Sequence, residues 1–439
     1  MARRLTLFIL VAMAGGILCG AATHHFVTDP RVLANVTDGL SILTDVFLRL
    51  IKMIIAPLVF ATLVTGIAHM GDTAALGRVG TRTIGWFICA SLVSLTLGLI
   101  LVNLLQPGAG LGLPLPDATA ASGVDKAAFT LRDFFVHLVP RSIFEAMAGN
   151  EILQIVVFSV FVGVAITAIG EKAAPLVRGV EALVAVMLQI TNYVMRFAPI
   201  AVFAAVTGAI AAQGLGILST FGYFMGGFYL GLILLWLLMM AACFLLVGKR
   251  ATILWRYIRD PFLLAFSTAS SESAFPRTLE ALDRFGVPRR ISGFVLPLGY
   301  SFNLDGTMMY CTFATMFIAQ AYGIHLSIGE QITMLLLLMV TSKGVAGVPR
   351  ASLVVIASTL SFFDIPEAGL LLILAVDHFL DMGRSATNVV GNAVASAVVA
   401  RWEGVLEVPE SPIIDALPTP HDTPHAGARG LDIDPAANR

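Results

Sequence analysis

The stretch "VDHFLDMGRSATNVVGN", Val376 to Asn392, sets Asp377, Asp381, Arg384, Asn388 and Asn392 in a strongly apolar chain. Counted from Asp377, the other four follow at offsets of 4, 7, 11 and 15 residues, and at about 100° per residue all five fall within roughly 80° of one another on a helix. They form one polar stripe. Ionisable groups inside an apolar span are costly unless paired or hydrated, so such a stripe marks a functional pathway and not a lipid-facing side. Arg384 offers a fixed fork of donors that matches a carboxylate bidentately. Asp381, one turn earlier, can accept from an ammonium. A cation beside an anion suits a zwitterion with an extra acid group, such as aspartate or glutamate; the alternative is an internal Asp381–Arg384 salt bridge holding two helices together.

Two more polar stretches interrupt apolar runs. "AFSTASSESAFP" (265–276) carries Ser270, Ser271 and Glu272. Its backbone N–H groups and helix ends can bind a carboxylate, or its serines can simply cap broken helices. "YSFNLDGTMMY" (300–310) carries Asn303 and Asp305, whose oxygens suit a hard cation or a carboxylate that takes a proton, or else satisfy a local chain break.

These residues need a membrane protein around them. Of 439 residues 57% are hydrophobic and 13% charged, and mean hydropathy is +0.88, against a charged content of about 25% in soluble domains. The fold class is an all-α polytopic membrane protein. Net charge is -1 and no long basic block occurs, so neither nucleic acid nor an anionic membrane surface is an expected partner; membrane lipid is, because the chain spans it. Cys19, Cys89, Cys243 and Cys311 are far apart and have no metal or redox spacing. No cofactor and no metal site are expected; His421 and His425 lack a third ligand.

Apolar windows place spans at 5–23, 40–68, 82–105, 152–170, 179–212 and 219–247, several of them longer than one straight crossing. Residues 5–23 read as a first span and not as a cleaved leader. The mixed segment 107–150 reads as a loop with room for one further helix. Basic residues between spans, among them Arg78, Arg82, Lys172, Arg178, Lys249 and Arg250, place both termini in the cytoplasm by the positive-inside rule. Residues 261–283 and 330–364 are apolar at their ends but broken in the middle, the second by "TSKGVAGVPRAS" (341–352). Lipid cannot satisfy unwound backbone, so each reads as a re-entrant helical hairpin with a buried polar tip. Spans at 291–320 and 366–401 follow the two hairpins. Paired hairpin and broken-helix units are the pattern of a transporter core with inverted repeats. The Pro- and Asp-rich tail 402–439 reads as a disordered cytoplasmic segment.

At these residues the chain resembles the dicarboxylate/amino acid:cation symporter family, the glutamate transporter fold. The hairpin tips, the broken helix and the polar stripe match in order over about 265–401, and "IKMIIAPLVF" (51–60) extends the likeness toward the amino end. The resemblance implies eight transmembrane helices plus two re-entrant hairpins, a homotrimer, and an elevator motion of a transport core (251–401) against scaffold and trimerisation helices lying mainly in 1–250. It puts Arg384 on the substrate side-chain carboxylate and Asp381 on its amino group, with Asn388, Ser385, Thr307, Ser270, Ser271 and Val348 as further contacts. The second hairpin, with Ser342, Gly344, Gly347, Pro349 and Arg350, would be the gate.

Sodium-coupled relatives carry an aspartate where this chain has Asn392, and a Tyr with Thr-Ser where it has Phe87, Ala90 and Ser91. "STASSES", "GYSFNLDG" and "NVVGNA" look instead like the bacterial proton/glutamate-aspartate branch. The expectation is a secondary active symporter, in a bacterial inner membrane, importing glutamate or aspartate with protons; a C4-dicarboxylate substrate or sodium coupling is the alternative. Glu272, a lone carboxylate at a tip, is the expected proton carrier, with Asp305 and Asp377 as alternatives and Asn303 and Asn392 beside them. Arg350 replaces a glycine common in relatives, and His378 an arginine. An intramembrane hydrolase is not expected, because no G-x-S-x-G elbow exists.

Overall fold

The computed structural model describes residues 2–69, 73–109, 136, 138–214, 221–342, 351–374 and 376–407. Among these the chain is helical throughout, without strands. The first half comprises α1 (Ala2–Phe26), α2 (Pro30–Ala68), α3 (Thr73–Leu105), α4 (Ile143–Gly149), α5 (Ile152–Ile169), α6 (Ala174–Val194), α7 (Ala198–Gln213) and α8 (Gly222–Val247). The second half comprises α9 (Ala251–Thr268), α10 (Phe275–Phe285), α11 (Arg289–Phe302), α12 (Asp305–Ala321), α13 (Ile328–Thr341), α14 (Ala351–Phe362), α15 (Leu370–Leu374) and α16 (Asp377–Trp402).

Several boundaries depart from the apolar windows. α2 starts ten residues before residue 40 because Asp29 caps it, accepting from the Arg31 N–H at 2.8 Å, and Pro30 opens its first turn. Its 39 residues span about 58 Å, well beyond a hydrocarbon core of about 30 Å. The expected span 179–212 is two helices joined by a 3-10 turn at Met195–Phe197. The first arm of the first hairpin begins at Ala251 and not at 261, since charged Arg256, Arg259 and Asp260 hide an amphipathic helix from a hydropathy window. By length and composition five described helical stretches can cross a membrane, the longest being Ile152–Gln213 and Gly222–Thr268. At 62 and 47 residues each exceeds a single crossing.

The tip of the first hairpin is narrower than its polar sequence. α9 runs to Thr268 and helix resumes at Glu272–Ala274, so the break is confined to Ala269–Ser271. Ala269 turns the chain with φ +49°, the left-handed region, at about 1–2 kcal/mol for a residue with a Cβ. The tip of the second hairpin, 343–350, and with it Gly344, Gly347, Val348, Pro349 and Arg350, lies outside the described residues.

α16 is the axis of the second half. Ser385 through Ala400 are all buried, and α8, α9, α11, α12 and α3 pack around it. Its run of Gly, Ala, Ser and Thr lets those helices approach closely. α2 packs on α5, α6, α7 and α11, and also against the tip of the first hairpin.

The tail expectation needs correction at its start. Residues 403–407 are held in place: Glu403 accepts from Arg78 and Arg82 at 3.0 and 2.7 Å, Arg250 donates to the carbonyls of Leu406 and Glu407, and the Glu407 N–H donates to Gly286 O at 2.8 Å. Three arginines distant in sequence supply what composition could not reveal. Residues 408–439 lie outside the described residues.

Candidate functional site

α16 carries the polar stripe down one side, and α11, the break at Asn303–Leu304 and α12 face it. Four of the five stripe residues find partners there, and Asp381 pairs within α16. Asp377 accepts from Tyr310 OH at 2.7 Å. The Asp381 carboxylate accepts from Nε of Arg384 and forms an ion pair with its Nη2, both through Oδ1. Arg384 Nη1 donates to Thr307 Oγ1 at 3.0 Å, Asn388 Nδ2 reaches the same hydroxyl at 3.3 Å, and Asn388 Oδ1 accepts from the Gly306 N–H at 2.9 Å. One turn on, Asn303 Nδ2 donates both to Asp305 Oδ2 and to Asn392 Oδ1, each at 3.1 Å. The break between α11 and α12 is thus satisfied by side chains of α16.

Two glycines make this approach possible. A Cβ on Gly306 would strike the backbone carbonyl of Arg384, and one on Gly391 would strike the Asp305 carboxylate. Backbone therefore meets polar groups directly where any larger residue would separate the helices.

Hydrogen-bonding capacity is left over at this junction. Among the described residues Asn303 Oδ1, Asn392 Nδ2, Ser301 Oγ and Ser385 Oγ are buried with no hydrogen-bond partner. Buried polar atoms normally find partners, and such exceptions concentrate where a ligand or ion is accommodated. Asp381 and Arg384 side chains are 22% and 16% exposed, so the pair is accessible while the groups below it are sealed.

The hairpins approach from both sides. At the first tip Ser273 Oγ donates to Ser270 O, Thr268 and Ser273 hydroxyls lie 2.8 Å apart, and Ser270 Oγ accepts from the Ser273 N–H at 3.3 Å. Ser270 thus does cap the tip, whereas Ser271 makes no side-chain hydrogen bond among the described residues. Glu272 is not a lone carboxylate: Lys52 of α2 and Arg384 both lie within electrostatic reach of it. At the second hairpin Ser342, buried, sits with its hydroxyl 3.6 Å from Met308 Sδ, and Cys311 Sγ lies 3.8 Å from Ser352 O. Both ends of the second tip therefore rest on α12 within about one turn of Thr307.

Sequence reasoning missed Tyr310, Lys52 and Ser94, the last donating to the Asp305 carbonyl at 2.5 Å. Tyr310 and Lys52 each stood inside a quoted stretch. A lysine inside the apolar window 40–68, the last charged residue of that window after Asp45 and Arg49, was the available signal for Lys52; Tyr310 and Ser94 carried none until folded. His378 packs edge-on to Phe379, ring centroids 6.1 Å apart. No cluster of three or more His, Cys, Asp or Glu able to hold a metal ion occurs among the described residues.

Comparison with known proteins follows the same outline. The sodium:dicarboxylate symporter family matches residues 5–402. A C4-dicarboxylate transport protein 2 of Mesorhizobium japonicum is 40% identical over 405 residues, covering 91% of this chain and 89% of the relative. A proton/sodium-glutamate symport protein of Bacillus caldotenax is 38% identical over 401 residues, covering 90% and 94%. A C4-dicarboxylate transport protein of Laribacter hongkongensis is 38% identical over 423 residues, covering 95% and 93%. A match over nearly the whole chain, joined to relatives this similar along nine-tenths of it, means that the protein belongs to the sodium:dicarboxylate symporter family and is a multi-pass membrane transporter of small organic acids.

Proposed function

We propose that the protein is a proton-coupled symporter importing glutamate or aspartate. The observation that carries this reading is the Asp381–Arg384 pair beside Thr307 and Asn388. An acidic amino acid brings its side-chain carboxylate for Arg384 and its ammonium for Asp381, so it exchanges one internal pair for two ligand pairs, and its remaining carboxylate falls to the N–H groups and serines of the first hairpin tip. A dicarboxylate without an amino group takes Arg384 and strands Asp381, a loss of about 3–5 kcal/mol for a buried charge without its partner. Ser385, Asn388, Thr307, Ser271 and the tip backbone at Ser270 complete the substrate cradle, with Val348 from the second hairpin, whose segment Ser342–Ser352 including Gly344, Gly347, Pro349 and Arg350 acts as the gate.

Coupling falls to Glu272, with Asp305 and Asp377 as alternative carriers. Asn392 supports the proton, because an amide gives a sodium ion a weaker, uncharged ligand than a carboxylate does. Residues 251–401 move as the transport core against scaffold helices mainly in 1–250, in a homotrimer of the bacterial inner membrane with both termini cytoplasmic.

A second reading, C4-dicarboxylate transport, is favoured by the names of relatives as similar as the glutamate symporter; it leaves Asp381 without a cationic partner on the substrate. Uptake of labelled glutamate into proteoliposomes, competed by aspartate or by succinate under an imposed pH or sodium gradient, tests both. Aspartate competing and a pH gradient alone driving accumulation is expected. Succinate competing more strongly than aspartate overturns the amino-acid reading, and proton flux unchanged in Glu272→Gln removes Glu272 as the carrier.

A further inference from the structure

α16 begins at Val376 without a side-chain cap, so its first turn, which carries Asp377 and leads into Asp381, has no local anchor of its own. α8 supplies one from behind. Tyr229 donates its hydroxyl to the Phe379 carbonyl at 2.5 Å. Seven residues farther along α8, Trp236 Nε1 donates to Thr387 Oγ1 at 2.8 Å, and that hydroxyl donates in turn to Gly383 O at 2.8 Å. Gly383 is what lets the two helices meet: a Cβ there would lie 2.7 Å from Leu232 Cδ1 and 2.9 Å from Tyr229 Cε1, closer than packed side chains approach. Tyr229, Leu232 and Trp236 share one face of α8. Phe379, Gly383 and Thr387 share one face of α16, roughly 140° round the helix from the centre of the polar stripe. The Tyr229 hydroxyl is also within electrostatic reach of the Asp381 carboxylate. α12 therefore meets the stripe from the front, and α8 braces the same turns from the back.

We propose that Tyr229 is a positioning residue that fixes the turn 379–383 and so aims Asp381 at the ammonium of the substrate, while Trp236 steadies the next turn behind Arg384. This rests on the reading of Asp381 as the ammonium's partner. Asp381 lies within the turn that Tyr229 holds, so slack there displaces the anion and leaves the Arg384 fork, backed by Thr387, nearly in place. A displaced carboxylate loses part of its attraction for an ammonium, and a misplacement of about 1 Å is enough to be felt in recognition. A substrate without an ammonium has no such attraction to lose. Both kinds of substrate need Arg384, so slack in its own turn weakens both alike.

Calorimetric titration of purified full-length protein with glutamate and with succinate, at fixed pH in a buffer containing sodium, tests this through the ratio of the two affinities. Tyr229→Phe, which keeps the ring and loses the hydroxyl, is expected to move the ratio about fivefold against glutamate, the size of one net hydrogen bond. Gly383→Ala is expected to move it in the same direction by pushing the ring aside. Trp236→Phe is expected to weaken both ligands and leave the ratio alone. Tyr223→Phe removes another α8 hydroxyl, one that donates to the Leu105 carbonyl at 2.7 Å, and is expected to change neither affinity. A ratio unmoved by Tyr229→Phe, even with a lowered unfolding midpoint, makes that residue a structural prop and overturns the proposal, as does an equal shift of the ratio in Trp236→Phe. Succinate bound more tightly than glutamate by the unaltered protein overturns the amino-acid reading instead, and a ratio that Tyr229→Phe still moves then upholds the positioning role. Binding of neither ligand by the unaltered protein overturns both.

Discussion

Among the described residues, the Arg289–Asp283 and Arg384–Asp381 pairs share the same fork in different surroundings. At the base of the first hairpin, Arg289 grips Asp283 through Nε and Nη2 on one carboxylate oxygen, and Ser292 Oγ lies 3.5 Å from the other. On α16, Arg384 likewise addresses one oxygen of Asp381 with Nε and Nη2, but nothing among the described residues hydrogen-bonds the second oxygen. The base pair closes a tight turn whose Gly286 has φ +99°, and its side chains are 38% and 25% exposed. The central pair is less exposed and yet less satisfied. Burial strengthens electrostatics and raises the cost of unmet valence together, so an open pair in the drier place is the one equipped to change partners.

The comparison can be broken most severely at Arg384. Arg384→Gln strands Asp381 and removes the fork, so apparent substrate affinity in proteoliposomes should fall about 100-fold or more; uptake with unchanged affinity would make the central pair a structural bolt like the one at the base. Asp381→Ser comes next. It should weaken glutamate about tenfold or more through loss of the ammonium's partner while succinate competes as well or better, and a parallel loss of both would detach Asp381 from amino-group recognition.

Tyr310→Phe deletes one buried hydrogen bond to Asp377 and should cost about 1–2 kcal/mol, read as a lowered unfolding midpoint and a several-fold weaker apparent affinity. The base pair should respond in stability alone. Asp283→Ala should lower thermal stability by about 1 kcal/mol, discounted for solvent screening, with substrate affinity untouched; an affinity change there would erase the distinction between the two pairs. Smallest is Ser292→Ala, about 0.5 kcal/mol for a long and partly exposed hydrogen bond, visible only as a slight shift of the unfolding midpoint.

The stripe on α16 was legible because charged residues stand out in an apolar span and their spacing alone puts them on one helix face. The breaks at 269–271 and 303–304 were legible from Ser, Asn and Gly where lipid tolerates no open backbone. Other features carried no local signal. The capped start of α2 and the amphipathic start of α9 escape a hydropathy window, which averages out both a cap and a one-sided charge pattern. That Glu272 faces Lys52 across more than 200 residues of chain, or that Arg78, Arg82 and Arg250 hold residues 403–407, depends on which helices become neighbours.

Composition and periodicity by themselves determined that this chain lives in lipid, that it is helical, and which ionisable groups must turn inward, because the cost of a charge or a bare peptide group in hydrocarbon is paid at each residue regardless of its neighbours. Partnership is different. Whether Asp381 is completed or left half open, whether Asn303 spans from Asp305 to Asn392, and whether Glu403 meets Arg78 and Arg82 are decided only when helices distant in the chain come within about 3 Å of one another, a distance that no local pattern encodes.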